Sequence, residues 1–154
     1  MDIQLRLLFC TFISLSSITA AAQLKEVETS GEWLTIGRVK YAGPDKASLK
    51  FLPGGKDTTY LLLMRDYRYE LKEYFSIRFK SDGSSLAALY NIMMSFFEGD
   101  NKKNKKYDKT FSLGNTMVHI QHYKRIEGSG IMLSTGDGHI IFSKGEVQKL
   151  FGKK

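Results

Sequence analysis

The middle of the chain alternates apolar and charged residues with a period of two. Between residues 61 and 79, most odd positions are apolar or aromatic and most even positions are charged or polar. Because successive side chains of a strand point to opposite faces, this alternation predicts strand structure with one apolar and one charged face. Arg65 and Glu73 interrupt the apolar face. We expect them to bracket a bend, and the alternative is a buried ion pair between them.

Short apolar runs separated by turn residues lie on both sides of this stretch. Runs of β-branched and aromatic residues favour strands, and glycine, proline and aspartate between them favour tight turns. The tripeptide Gly136-Asp137-Gly138, for example, suits a hairpin turn. The predicted strands lie near Trp33–Tyr41, Ala47–Leu52, Thr59–Met64, Thr110–Leu113, Thr116–Lys124, Ile131–Thr135 and His139–Ser143.

Two segments repeat apolar residues at helical spacing instead. The longer one follows the turn sequence at 81–84, and Gly99 is its predicted stop. The shorter one begins with Ser143 and Glu146, which have the spacing of a capping box. The apolar stripes of the two helices consist of Leu86, Leu89, Tyr90, Met93, Phe96 and Phe97 in the first, and Val147, Leu150 and Phe151 in the second.

Together these elements predict an α+β fold. Neighbouring strands joined by short turns indicate antiparallel β-meander sheets, accompanied by one long and one short C-terminal amphipathic helix. Both halves of the chain place a strand before a polar cap and a helix. This order points to an arrangement of two β-meander-plus-helix units that share one core.

The first 22 residues predict a cleaved signal peptide. A weakly cationic start containing Arg6 precedes a mostly apolar run, and Ala20 and Ala22 fit the small-residue pattern of a cleavage site. The apolar run has about half of the ~20 residues that a membrane-spanning helix requires. We therefore expect residues 1–22 to be removed, leaving a single domain over 23–154. This domain contains no cysteine, so it depends on an apolar core.

The net charge of +7 is concentrated at the periphery of the predicted domain. The segment 100–109 contains five lysines and two aspartates, and two further lysines end the chain. We interpret this segment as an exposed connector. It either forms a solvated loop or docks on an anionic surface such as lipopolysaccharide, an anionic lipid head group or an acidic protein. The candidate contact residues are Lys102, Lys103, Lys105 and Lys106.

Nucleic-acid binding is the competing interpretation of the basic composition. A sheet that presents lysine, arginine and aromatic side chains can stack bases, and strands followed by a helix are similar to the single-strand-binding folds of transcription coactivators. The predicted charge, however, lies in a loop and at a terminus instead of on one sheet face. An exported location disfavours a nucleic-acid partner as well.

No residue pattern in the sequence defines a catalytic centre, and none predicts a metal or a cofactor. His119 and His122 lie three residues apart in a predicted strand, which places their side chains on opposite faces. The sequence has no Gly-x-Ser-x-Gly element, and the glycine pairs at 128/130 and 136/138 lie between strands, where phosphate-binding loops do not occur. Cys10 is expected to leave with the signal peptide.

The Ala-Ala-Ala-Gln sequence ending at Gln23, followed by a lysine-rich and cysteine-free meander, resembles small exported proteins of unknown function of the Bacteroidota. This resemblance covers the signal peptide and the general style of the domain. It implies a periplasmic or secreted location and assigns no catalytic residue.

The sequence favours a non-enzymatic exported binding or accessory module that recognises a protein or a cell-envelope component. One alternative is a carrier of a small apolar ligand, in which Tyr67 and Tyr69, with Leu86 and Met93, would line a pocket between helix and sheet. The other is a hydrolase whose site is not visible in the sequence. A histidine within hydrogen-bond reach of a carboxylate in a pocket would favour the hydrolase.

Overall fold

The strands of the protein form two antiparallel sheets, each a meander in chain order. The computed structural model describes residues 31–40, 43–54, 57–68, 73–81, 83–125 and 128–153. Gly31–Lys154 group into one compact unit that contains every element described below. The predicted signal peptide, residues 1–22, and the candidate residue Tyr69 lie outside the described residues.

Each sheet has four strands in the described part of the chain and is followed by a helix. The first sheet contains β1 (Leu34–Lys40), β2 (Asp45–Leu52), β3 (Thr58–Arg65) and β4 (Tyr74–Ser81), followed by helix α1 (Ser84–Ser95). The second contains β5 (Asp108–Leu113), β6 (Thr116–Arg125), β7 (Gly128–Ser134) and β8 (His139–Phe142), followed by helix α2 (Lys144–Leu150). The prediction of an α+β fold with meander sheets is therefore confirmed, and the two halves are β-meander-plus-helix units.

One apolar core joins the two units. Leu62 and Ile77 from the first sheet, Ile120 and Leu133 from the second, and Met93 from α1 are fully buried in the same cluster. Burial of one such side chain contributes roughly 1.5–3 kcal/mol relative to leaving it exposed. Because the cluster draws on both sheets and both helices, neither meander buries its apolar face alone.

Helix α1 has the predicted apolar stripe but ends four residues before Gly99. The hydroxyl oxygen of Ser81 accepts hydrogen bonds from the backbone N–H groups of Gly83 and Ser85 at 2.9 and 3.0 Å, which satisfies donors at the start of the helix. At the other end, the ring of Phe96 packs 4.7 Å from the ring of Tyr107. Phe96 is thus fully buried just beyond the last helical residue.

Helix α2 begins with the predicted capping box. The Ser143 hydroxyl accepts a hydrogen bond from the Glu146 N–H, and a Glu146 carboxylate oxygen accepts one from the Ser143 N–H at 2.7 Å. The other carboxylate oxygen lies 2.7 Å from Nζ of Lys46 in β2. Burial raises the pKa of Glu146, but the hydrogen bonds and charge of Lys46 and the Ser143 bonds outweigh it and lower the pKa. The cap thus also ties α2 to the first sheet.

The C-terminal end of α2 lies directly against β1. The carbonyl oxygens of Lys149 and Leu150 come so close to Gly37 that a Cβ atom at this position would overlap them. Only glycine fits under this approach. The helix of the second unit therefore covers part of the sheet of the first. Neither this helix nor α1 is long and apolar enough to cross a bilayer, and the same holds for every helix in the described ranges.

The alternation predicted for residues 61–79 is correct in β4 and wrong in β3. The odd residues of β4 are buried, among them Ile77, but in β3 the even residue Leu62 is buried while Leu61 points outward. The hairpin register explains the difference, because it pairs odd residues of β3 with even residues of β4, such as Leu61 with Arg78. The two strands therefore use opposite parity for the core.

Arg65 and Glu73 bracket a turn, as the sequence predicted. β3 ends at Arg65, and the N–H of Asp66 donates to the carbonyl of Glu73 at 2.9 Å. Glu73 is exposed. The chain therefore reverses between these residues, and the expected bend is confirmed.

We expect the substitution Gly138→Ala to destabilise the fold. Gly138, in the turn between β7 and β8, is buried against Asp66 and Phe75 at the turn between β3 and β4. A Cβ atom there would lie 2.6 Å from the ring of Phe75 and 2.7 Å from the carboxylate of Asp66. Relieving this overlap costs about 1–3 kcal/mol of unfolding free energy, measured by urea denaturation. The matched control is Gly136→Ala, two residues away, where a Cβ atom meets nothing within 4 Å. Equal stability of the two variants would contradict the packing at Gly138.

Candidate binding face

The histidines do not form a metal site. His119 and His122 lie on opposite faces of β6, as predicted, because only the His122 side continues the buried positions Val118 and Ile120. The Nε2 atom of His122 lies 2.9 Å from the carbonyl oxygen of Asn101. Among the described residues, no group of three or more histidine, cysteine, aspartate or glutamate side chains is placed to hold a metal ion.

The His119 ring is close to a hydroxyl and a carboxylate, but its geometry is not that of a catalytic triad. Its Nδ1 atom lies 2.8 Å from Oγ1 of Thr110 and 4.0 Å from a carboxylate oxygen of Asp108. A triad needs the nucleophile on one ring nitrogen and the acid on the other. Here both partners approach the same nitrogen on an open strand surface, so this cluster does not activate the threonine.

The most strongly perturbed carboxylate in the described part of the chain is Asp66, and its partners are structural. Its side chain is only 3 % exposed and accepts hydrogen bonds from the Arg68 guanidinium at 2.7 Å and the Arg68 N–H at 3.0 Å. It also accepts one from the His139 N–H at 3.4 Å. Burial raises the pKa of Asp66, but these bonds and the Arg68 charge outweigh it and lower the pKa to about 2. A carboxylate held ionised in this way orients the turn and is a poor general base at neutral pH.

Of the residues proposed to line an apolar pocket, the three that the structure describes, Tyr67, Leu86 and Met93, lie in different surroundings. Tyr67 is 61 % exposed, beside the rings of Tyr123 and His139, whereas Met93 is fully buried in the core. Leu86 packs on the edge of the core. An open groove of about 240 Å³ lies elsewhere, between α1, the end of β4 and β5. The arrangement of these residues is therefore not that of a ligand cavity.

The lysine-rich segment is exposed and anchored at both ends. Residues Gly99–Lys102 form one 3-10 turn, held by the His122–Asn101 contact, and the ring of Tyr107 packs against Phe96. Between these anchors, the four candidate lysines project into solvent: Lys102, Lys103, Lys105 and Lys106. The segment therefore presents a cluster of exposed positive charge, and its last lysine, Lys109, lies 5.0 Å from the ring centroid of Tyr107.

The outward side of the first sheet combines basic and apolar side chains. The strand register aligns Lys50 of β2, Leu61 of β3 and Arg78 of β4 in one row. The adjoining row aligns Leu52, Thr59 and Lys80. Further along the sheet, Leu63 pairs with Ser76 and Arg65 with Tyr74. We call this surface the basic face and define it by four basic and three aliphatic residues: Lys50, Arg65, Arg78, Lys80, Leu52, Leu61 and Leu63.

Among the described residues, no acidic side chain lies within ion-pair distance of the basic face. Within the described residues, its four basic side chains make no ion pair. No aspartate or glutamate occupies any of its register-paired positions. The guanidinium carbon of Arg78 lies 5.6 Å from the ring centroid of Trp33, a cation–π contact that fixes both groups on this surface. An anionic partner with an apolar part would complement such a face.

The sequence did not reveal this face because its composition depends on hairpin register. If all odd residues between 61 and 79 face the core, Leu61 and Leu63 are buried, and Arg78 and Lys80 lie on the opposite face from them. In this hairpin, each odd-numbered residue of β3 pairs with an even-numbered residue of β4, because an even number of residues lies between Arg65 and Tyr74. A prediction that keeps one parity through the turn misses this register. The basic charge is therefore not confined to the segment 100–109.

Comparison with known proteins finds no family model, no curated protein and no solved structure that matches this chain. The class of protein is consequently defined here by its own fold and surfaces. It is an α+β protein of two β-meander-plus-helix units, and one sheet face carries several basic side chains.

We expect Asp66→Asn to lower stability above about pH 4 and to have little effect near pH 2. The native pKa of about 2 lies below the unfolded value of 3.8, so the stabilisation is complete above 3.8 and is lost as pH falls toward 2. Its size is about 2 kcal/mol of unfolding free energy.

Urea denaturation of both proteins over this pH range measures the effect. Asp137→Asn is the control, since Asp137 is exposed and contacts Arg68 through its backbone carbonyl. A stability difference between wild type and Asp66→Asn that stays constant from pH 7 to pH 2 would contradict the assigned ionisation.

Proposed function

We propose that this protein is a non-enzymatic exported binding module that recognises an anionic cell-envelope component through its basic face. The observation that carries the proposal is the set of four basic side chains on one sheet surface with no ion-pair partner in the described residues. The predicted signal peptide at 1–22 supports the periplasmic or secreted location.

The strand backbone makes the basic face a better candidate than the lysine-rich segment. Neighbouring strands hold side chains about 4.8 Å apart, so the spacing of Lys50, Arg65, Arg78 and Lys80 is fixed before a partner arrives. The lysines at 102–106 are also exposed, but they lie in a 3-10 turn and the turn that follows it and not on neighbouring strands. They add to the approach of an anionic partner without defining its position.

The test compares two charge-reversal variants of equal net charge. Arg78→Glu/Lys80→Glu alters the basic face, and Lys102→Glu/Lys103→Glu alters the segment; all four residues are exposed. The probe is fluorescein-labelled dextran sulfate, and anisotropy measures its binding at low salt. We expect the face variant to bind about 10-fold or more weakly than wild type and the segment variant to lose about 3-fold or less.

Thermal unfolding of each variant confirms that binding is compared between folded proteins. Added salt should weaken wild-type binding steeply, as for any interaction dominated by exposed charge. Equal losses in the two variants would mean that only net charge matters, and the proposed role of the face would then be wrong.

A further inference from the structure

We propose that the anionic partner is the surface of a phospholipid bilayer, on which the basic face docks with its strands parallel to the membrane. This inference rests on the proposed function and names the ligand class. Phosphate head groups would contact the basic residues, and the apolar residues between them would reach the boundary of the acyl chains.

The apolar part of the face is aliphatic and continuous. Leu61 and Leu63 lie two residues apart on β3, and Leu52 lies on the neighbouring strand β2. All three are half-buried, so they form a shallow surface and not a pocket. Such a surface fits the edge of a hydrocarbon layer better than a single ligand that needs enclosure.

Aromatic side chains stand at both ends of the face. Trp33 directly precedes β1. The first residue of β1, Leu34, pairs with Phe51 of β2, and Phe51 pairs with Tyr60 near the start of β3. Tyr74 pairs with Arg65 at the end of β3. The Trp33 ring contacts Arg78 of β4, which lies four residues from Tyr74 on the same strand. Tryptophan and tyrosine favour the interface between head groups and acyl chains, where a ring is half apolar and half wet.

The same features disfavour a single-stranded nucleic acid as the partner. Successive bases stack on neighbouring open rings. Here the Arg78 guanidinium lies 5.6 Å over the Trp33 ring, and the Tyr74 hydroxyl donates to the Asp45 carbonyl at 3.0 Å. The face therefore offers charge and hydrocarbon contact in place of a stacking platform.

Trp33 provides a direct probe, because it is the only tryptophan in the chain. The experiment uses the full chain and vesicles of phosphatidylcholine alone, or mixed with anionic phosphatidylglycerol. Co-sedimentation gives the partition coefficient, and phosphatidylglycerol with brominated acyl chains quenches any tryptophan that reaches the acyl boundary. Wild type and variants carry the same N-terminal segment, so a difference between them reports on the substituted residues.

We expect binding to the anionic vesicles, quenching of Trp33 by brominated chains, and little binding to phosphatidylcholine alone. Removing two basic side chains near an anionic membrane corresponds to roughly a 30-fold lower partition coefficient. Arg78→Glu/Lys80→Glu should show at least this loss, while Lys102→Glu/Lys103→Glu stays within about 3-fold of wild type.

Four results would overturn the lipid inference, and the first two of them leave the proposed function standing. The bilayer is rejected if vesicles bind without quenching of Trp33. It is also rejected if vesicles do not bind although dextran sulfate binding depends on the basic face. In both cases the proposed binding of an anion by the basic face still stands. Tighter, face-dependent binding of oligodeoxythymidylate that displaces vesicles identifies nucleic acid as the partner. Equal behaviour of the two charge-reversal variants on every probe rejects the lipid inference and the proposed function together.

Discussion

Two four-stranded sheets bury one face each in a single shared core, and this sharing determines which side chains remain in solvent. Neither meander encloses its apolar face by itself, because the four strands of each sheet share one buried cluster with those of the other. The core contains residues of both units, such as Leu62 and Ile120, and α2 returns to cover β1. The opposite side of the first sheet consequently does not belong to this core. The basic face is a product of this division.

Polar contacts at two corners of the molecule set the relative position of the units. Asp66 and Arg68 of the β3–β4 turn meet the backbone of Asp137 and His139, and Lys46 of β2 meets Glu146 of α2. A buried ion pair adds little net stability, since desolvation offsets much of the attraction. Removing one partner is costly, however, because the other charge stays behind in a dry site. These contacts therefore specify the docking geometry, while the apolar core supplies most of the stability.

Local signals in the sequence predicted the fold well. The Ser143–Glu146 capping box, the stripe containing Leu89 and Met93, and the turn at Gly136-Asp137-Gly138 depend on spacings of a few residues, which survive in any tertiary context. The order of strand runs and helices then sufficed for the α+β class. The helix end at Ser95 was not predicted in this way, because no glycine or proline marks it and the next glycine is Gly99.

The binding face could not be predicted because it depends on long-range pairing. Whether Leu61 faces the core or the solvent is decided by the β3–β4 register, and a shift of one residue reverses the answer. The burial of Asp66 likewise requires the turn before β8, far away in sequence. Composition located the positive charge of the segment 100–109 correctly as exposed. It carried no information on the second, ordered set of basic residues across the sheet.

The shared core is tested most directly by native-state hydrogen exchange. If the two units depend on one core, the slowest amides of β3, such as Leu62, and of β6 and β7, such as Ile120 and Leu133, should exchange with one free energy of opening, equal to that of global unfolding. The slowest amides of one sheet could instead open at a free energy several kcal/mol below that of the other sheet. This difference would show that the units unfold separately. That result would contradict the account of how the basic face is formed.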